Sequence, residues 1–388
     1  MTESHALPRI VAARRTPIAT RGRALAALTV EQLAVPVVRA VHDDATHVLG
    51  LPPVVADVVL GNCMGPGGNP ARVAALGAGL GFTVPGLTVD RQCGSGLAAI
   101  IEASTAISAG DHRPRIAGGV ESASTAPTRS VDGVAYARAP FAPAGWNDPD
   151  MTRAAEDLAA HDGISRERQD AYAARSTHRA ASAVAAGRFT DELVPLVGAA
   201  EQDEAPRRGI ERLLPRFTPL FTDGSLTAGN TCRVSDGAAA VLVVPGGPGG
   251  PGGPAHGSAT PGLAVRAHAV VGCDPALPGI GAAPAILDAL DRAGVDLAQV
   301  AAFEIVEAFA AQTLAVLDRL GVAEDDERLC ADGGALALGH PWGASGAVAV
   351  VRLFSRLVRG GAPAGTIGVA AASVGGGLGV AAVFEVVR

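Results

Sequence analysis

The 388-residue sequence predicts an α/β protein made of two similar halves. Three observations carry that expectation. Short apolar runs alternate with Ala-rich helical stretches, the rhythm of helices packed on a central sheet. The small-Ser-Gly, apolar helix, Gly stop, strand series of residues 93–120 recurs at 343–377. Between the halves, residues 122–235 turn polar and richer in charge.

Taken in order, 54–62 (VVADVVLGN) reads as a strand and 70–81 (PARVAALGAGLG) as a helix with a small-residue face. A strand follows at 85–90 and a helix at 95–110 that stops at a glycine. Residues 115–122 (RIAGGVES) form a strand running into a turn. The polar middle holds an amphipathic helix at 165–187. PGGPGGPGGPAHGSATPG at 245–262 is a low-complexity linker. A helix at 343–361 and a strand at 365–377 complete the second half. The uncharged stretch 360–384 is long enough to span a bilayer. Its Gly375-Gly376-Gly377 break and scarcity of Leu favour two buried strands joined by a glycine turn. The repeat reads as an internal duplication; the alternative is chance likeness between two Ala-rich helices.

With 48% hydrophobic and 18% charged residues, the chain is globular. A net charge of −7 and 3% aromatics leave no basic stripe and few stacking rings, which argues against nucleic-acid binding. Every basic residue is Arg, so no side-chain amine is available for Schiff-base chemistry. The five cysteines, Cys63, Cys93, Cys232, Cys273 and Cys330, are odd in number and widely spaced. They fit neither a disulfide framework nor a zinc site, and no metal is expected. The N-terminal segment shows no apolar signal-peptide core, so a cytoplasmic protein is the expectation.

Cys93 lies after a strand and just before a helix, followed by Gly-Ser-Gly. The helix start favours a thiolate there, and the glycines admit a substrate. The structural alternative is a buried cysteine serving as a small hydrophobe. His340 occupies the matching glycine-rich turn, GGALALGHPWGASG at 333–346, and could take the thiol's proton. Its alternative is a turn histidine bonded to backbone. Glu304 and Glu307 in EIVEAFAAQ read either as paired carboxylates or as caps of the following helix. LTAGNTCRVSDGAAA at 226–240 holds two turns before a buried run.

These motifs together resemble the thiolases. GNPARVAAL, QCGSGLAAI, GGVES, GISRERQDAYAARS, LTAGNTCRVSDGAAA, EAFAAQ and GGALALGHPWGASG follow in that family's order over almost the whole chain. The resemblance implies a five-layer αβαβα fold of two duplicated halves plus a loop domain. It places the N-terminal half at 1–121 and 236–262, the loop domain at 122–235 and the C-terminal half at 263–388. It implies that Cys93 becomes acylated by an acyl-CoA, that His340 activates it, and that the Gly375 and Cys93 N–H groups hold the oxyanion. Met151, Phe221, Ala228 and Phe309 match pantetheine-channel positions, and Cys232 stands where a serine is usual. No cofactor is implied beyond the CoA thioester as substrate. A homodimer or homotetramer is implied, with room for an accessory protein.

Two positions depart from the family pattern. The family's second cysteine, an acid/base, is matched by Ser373, and the asparagine that orders an oxyanion water is matched by Val306. Both losses fall on carbon–carbon bond formation. The expectation is therefore an acyl-CoA acyltransferase with weak acetoacetyl-CoA activity; the alternative is a non-catalytic acyl-CoA-binding or scaffold subunit.

Overall fold

A computed structural model describes residues 7–204, 206, 209–246 and 260–388. Most of the linker at 245–262 therefore lies outside the described residues. The first half comprises β1 (Arg9–Arg15), α1 (Val30–Leu49), β2 (Asp57–Gly61), α2 (Pro70–Gly77), β3 (Gly86–Val89), α3 (Ser95–Ser108), β4 (Arg115–Glu121) and β5 (Ser235–Val244). Between β4 and β5 lie a small hairpin (Arg129–Val131 with Val134–Tyr136), α4 (Met151–Asp162) and α5 (Arg166–Ala185). The second half contains β6 (Gly262–Gly272), α6 (Ala282–Ala293), β7 (Val300–Ile305), α7 (Ala310–Leu320), α8 (Trp342–Leu353), β8 (Ile367–Val374) and β9 (Leu378–Val387).

The halves share one topology. Strand order along the sheet is β7-β8-β9-β6-β1-β5-β4-β2-β3. In the first half β2 pairs parallel with both β3 and β4, and β5 pairs antiparallel with β4 and β1. In the second half β7 pairs parallel with β8, and β9 pairs antiparallel with β8 and β6. Leu329 bridges to Phe303 of β7 in parallel, at the place β3 occupies in the first half. The duplication is thus visible strand by strand. The two sheets join where Arg9 and Ile10 of β1 pair with Ala264 and Leu263 of β6, with Val265 N donating to the Pro8 carbonyl at 2.8 Å.

Helix composition sorts the layers. Helix α3 is apolar on nearly every side, which suits burial between two sheets. Leu97, Ile100 and Ile101 of α3 cluster with Ala347, Val350 and Val351 of α8 and with residues of both sheets. Helix α1 buries one stripe, Leu33, Val37 and Val41, against the outer face of the first sheet. Thr29 and Gln32 close its start with a capping box, and Gly50 ends it at φ 76°. Helices α6 and α7 cover the outer face of the second sheet, and α4 and α5 pack onto them. The sequence of layers is α1/α2, sheet, α3/α8, sheet, α6/α7, the five-layer αβαβα arrangement with an inserted segment. Among the described residues, no helix is long and apolar enough to cross a membrane. The 360–384 stretch forms β8 and β9, joined at Gly375–Gly377.

Several expected boundaries shift. The strand expected at 54–62 spans Asp57–Gly61, with Val54 79% exposed, and the helix expected at 70–81 ends at Gly77. The last long helix is α-helical only to Leu353 and continues through Phe354–Arg359 as a wider π turn. Gly262 already belongs to β6.

Candidate active site

Two turns, one from each half, meet at the centre of the molecule. Cys93 lies between β3 and α3, and His340 just before α8. The two helices cross with almost no side chain between them. A Cβ on Gly96 would lie 2.8 Å from the Ala347 nitrogen, and one on Gly346 would lie 2.6 Å from that of Leu97. Only glycine allows that approach. The crossing brings His340 Nε2 within 3.2 Å of Cys93 Sγ.

The tautomer of His340 follows from its other nitrogen. Ser345 Oγ donates to the Pro341 carbonyl at 2.9 Å, so its lone pair accepts from Nδ1–H at 2.6 Å. Nε2 is left unprotonated, and the Cys93 thiol donates to it. Burial pushes His340 down to about 4. Burial also pushes the Cys93 thiol up to about 12; its own N–H pulls the other way, and the Glu121 and Asp90 charges add to the rise. Burial thus opposes the thiolate that the helix start favours, and the His340 tautomer leaves Nε2 facing the thiol as an acceptor. Gln92, directly before Cys93, has φ 40°, rare for a residue with a side chain. The Gln92 carbonyl accepts from both the Cys63 thiol at 3.1 Å and Ser95 Oγ at 2.7 Å, which buttress the elbow.

The remaining candidates are spread around this pair. Gly375, in the turn after β8, faces the inserted segment: a Cβ there would lie 2.7 Å from the Phe141 ring and 3.2 Å from Met151 Sδ. Cys232 and Phe309 form a strip beside each other, since Cys232 N donates to the Ala308 carbonyl at 3.0 Å and Thr231 pairs with Phe309. Phe221 is half-buried, with the Arg153 guanidinium 4.7 Å from its ring centre, and Ala228 is exposed on the neighbouring turn. Ser373 is committed elsewhere. Its hydroxyl donates to the Gly279 carbonyl at 2.6 Å and accepts from Ala282 N, at the start of α6, at 3.0 Å and from Gln312 Nε2 at 3.4 Å. Val306 is buried and lines a cavity with Ile18, Leu338 and Ser345.

Neither reading of the acidic pair holds. Glu304 binds Arg356 Nη1 at 2.6 Å. Glu307 accepts from Tyr172 Oη at 2.9 Å, Ser176 Oγ at 2.7 Å and Leu336 N at 3.3 Å. It thus ties α5 to the turn Ala335–Leu338 rather than capping α7. The sequence reading also missed Glu121. Its buried carboxylate accepts from Asn62 Nδ2, Cys63 N, Met64 N and Gly343 N. It bridges the first half to the turn that carries His340, and burial pushes it up to about 7. The signals were present as Glu121 in GGVES and Ser345 in GASG, but their partners are set only by the fold. Among the described residues, no cluster of His, Cys, Asp and Glu could hold a metal ion.

Comparison with known proteins matches residues 9–246 to the thiolase N-terminal domain and residues 259–386 to the thiolase C-terminal domain. The chain belongs to the thiolase family. Relatives to this thiolase include a Staphylococcus aureus (strain MRSA252) protein named "Putative acetyl-CoA C-acetyltransferase VraB", 40% identical over 97% of this chain and 98% of that protein. A Bacillus subtilis (strain 168) protein of the same description, YhfS, is 41% identical over 97% and 98%. The crystal structure of the Bacillus anthracis acetyl-CoA acetyltransferase superposes with a TM-score of 0.86 at 34% identity, covering 100% of both chains. This thiolase is therefore an acyltransferase enzyme.

Proposed function

We propose that this thiolase takes an acyl group from an acyl-CoA onto Cys93 and passes it to an acceptor. The Cys93–His340 contact, with its tautomer set by Ser345, carries this reading. The Cys93 sulfur attacks the thioester carbonyl as its proton moves to Nε2. The N–H groups of Cys93 and Gly375 hold the oxyanion. Collapse breaks the carbon–sulfur bond to CoA, and the buried imidazolium, with its pKa near 4, gives its proton to the departing CoA thiolate. In the second half-reaction a heteroatom acceptor gives its proton to Nε2 as it attacks the acyl carbon; the bond to Sγ breaks and Nε2 returns the proton to the Cys93 thiolate. The inserted segment 122–235 covers the site, between halves 1–121 with 236–262 and 263–388. Met151, Phe221, Ala228, Cys232 and Phe309 border the pantetheine path. A binding-only subunit would have no use for so closely matched a thiol and base.

The relatives' names point to acetyl transfer onto carbon. In this chain that step is slow. It needs a base for the acceptor's α-proton, and the Ser373 hydroxyl is both weakly acidic and held by Gly279 and Ala282. Val306 offers no hydrogen bond to a developing enolate. Missing one oxyanion donor costs about 100–1000-fold. Intact-protein mass spectrometry after incubation with acetyl-CoA should show an acetyl adduct that Cys93→Ala abolishes and Cys273→Ala retains. No adduct with acetyl-, butyryl- or octanoyl-CoA would exclude acyl transfer through Cys93. The double change Ser373→Cys with Val306→Asn should raise acetoacetyl-CoA cleavage well above the parent. A parent already cleaving it at an ordinary thiolase rate would show that these two positions do not redirect the chemistry.

A further inference from the structure

One buried carboxylate links the two turns of the candidate active site. Glu121, at the end of β4, is fully buried. Its Oε1 accepts from Asn62 Nδ2 at 3.0 Å and from Met64 N at 3.1 Å. Its Oε2 accepts from Cys63 N at 3.2 Å and from Gly343 N at 3.0 Å. Asn62, Cys63 and Met64 are consecutive and directly follow β2; Gly343 comes from the other half. Gly343 is the second residue of α8, where a backbone N–H has no acceptor within its own helix. The helix dipole adds to the attraction between that end and a carboxylate.

From these contacts the chain leads to both reacting groups. Cys63, held through its N–H, donates its thiol to the Gln92 carbonyl at 3.1 Å, and Gln92 directly precedes Cys93. Gly343 follows His340 in the same turn and precedes Ser345, whose hydroxyl fixes the tautomer. The seat leaves no slack. A Cβ on Gly61 would lie 2.6 Å from Ser95 Cβ and 2.7 Å from the Gly343 carbonyl, and one on Gly343 would lie 2.8 Å from the Val120 carbonyl. The ends of β2 and β4 therefore form a common bed for the two turns, and Glu121 ties one to the other. We propose that Glu121 is a positioning residue for acylation: its carboxylate sets the spacing of Cys93 and His340 by holding both turns to that bed. The proposal rests on acylation of Cys93 and adds the residue that aligns the reacting pair. Glu121 is sealed from substrate, so it acts on rate and not on acyl-CoA binding.

The test measures Cys93 acylation by acetyl-CoA in single turnover and, separately, Cys93 alkylation by iodoacetamide, which needs the thiol–imidazole pair but no CoA site. Glu121→Met keeps the side-chain length and removes both acceptors. It should lower the maximal acylation rate and the alkylation rate alike by about 10–100-fold, the loss that misplacement by about 1 Å produces. The half-saturating acetyl-CoA concentration should stay within about twofold of the parent's. Glu121→Gln can turn its oxygen to Cys63 N and Gly343 N, leaving its amide against the Asn62 and Met64 donors, and should recover part of both rates. General loosening of the fold would act on the thiol in the opposite sense, exposing it and speeding alkylation. Parent rates in Glu121→Met, faster alkylation, or a raised half-saturating concentration with the maximal rate retained would overturn the proposal. If Glu121→Met does not fold, Glu121→Gln decides: rates at least about threefold below the parent support the proposal, and parent rates overturn it. Failure of acetyl-CoA to label a parent whose Cys93 still alkylates would overturn the acyl-transfer reading, while the alkylation series would still report on Glu121.

Discussion

Ser345 decides which nitrogen of His340 carries the proton, through a 2.6 Å contact inside a buried turn. Removing its hydroxyl leaves Nδ1–H without an acceptor and frees the imidazole to adopt the other tautomer, which cannot take the thiol proton. Ser345→Ala should therefore slow Cys93 acylation by on the order of 100-fold, measured as CoA release in a stopped-flow assay. The pH dependence has a definite sign. Burial pushes His340 down to about 4, so the imidazole is already neutral at pH 6–8. Acylation should stay flat across that range and fall only as pH approaches 4, where Nε2 becomes protonated. A rate that instead falls through pH 6.5 would mean His340 titrates normally. Cys93 and His340 could be found in the sequence because each sits in a glycine turn ahead of an apolar helix. Their charge states could not, because desolvation depends on everything packed around them.

At the scale of elements, the α3–α8 crossing sets the thiol–imidazole distance. A Cβ on Gly346 would press 2.6 Å from the Leu97 backbone nitrogen, which has no side-chain freedom to yield. Gly346→Ala should cost about 1–3 kcal/mol of stability, seen as a lower Tm. Acylation should fall further than unfolding explains at the assay temperature, since separating the helices separates Cys93 from His340. A variant with parent acylation and parent Tm would show that the crossing tolerates an added methyl. Both helices were legible from their apolar content and flanking glycines. Their mutual contact was not, because a small residue in an Ala-rich helix is equally at home facing a strand. Phe141, which packs on Gly375, was invisible for a related reason: its segment has neither helical nor strand periodicity, and tertiary contacts place it, among them its N–H to Asp148 and the Arg138–Asp148 ion pair.

At the scale of the molecule, β3 ends the sheet and presents an outer edge beside exposed apolar residues. Phe82 is 91% exposed, Leu87 41% and Leu76 42%. A bare edge with such neighbours favours pairing with a second copy. Light scattering should give a mass at least twice 38.6 kDa, and Phe82→Asp with Leu87→Asp should reduce it to one chain. A monomeric parent would refute the expected oligomer. The duplication was legible from two matching stretches, 93–120 and 343–377, because each encodes the buried helix and following strand of its half. The buried Arg15–Glu192–Arg352–Asp332 ion network, which ties the inserted segment to both halves, was not. Its members are scattered through the chain and share no spacing.

That network is built on guanidinium groups, as are all 31 Lys-plus-Arg positions of the chain, since none is lysine. A guanidinium stays charged at any biological pH and has no free electron pair for an activated ester. Lysine ε-amines do, in the small fraction that is unprotonated. An enzyme that holds thioesters in its own interior is exposed to stray transfer onto such amines over its working life. This chain offers its substrate no lysine to mark. Its side chains should carry no amide-linked acetyl group after prolonged exposure to acetyl-CoA.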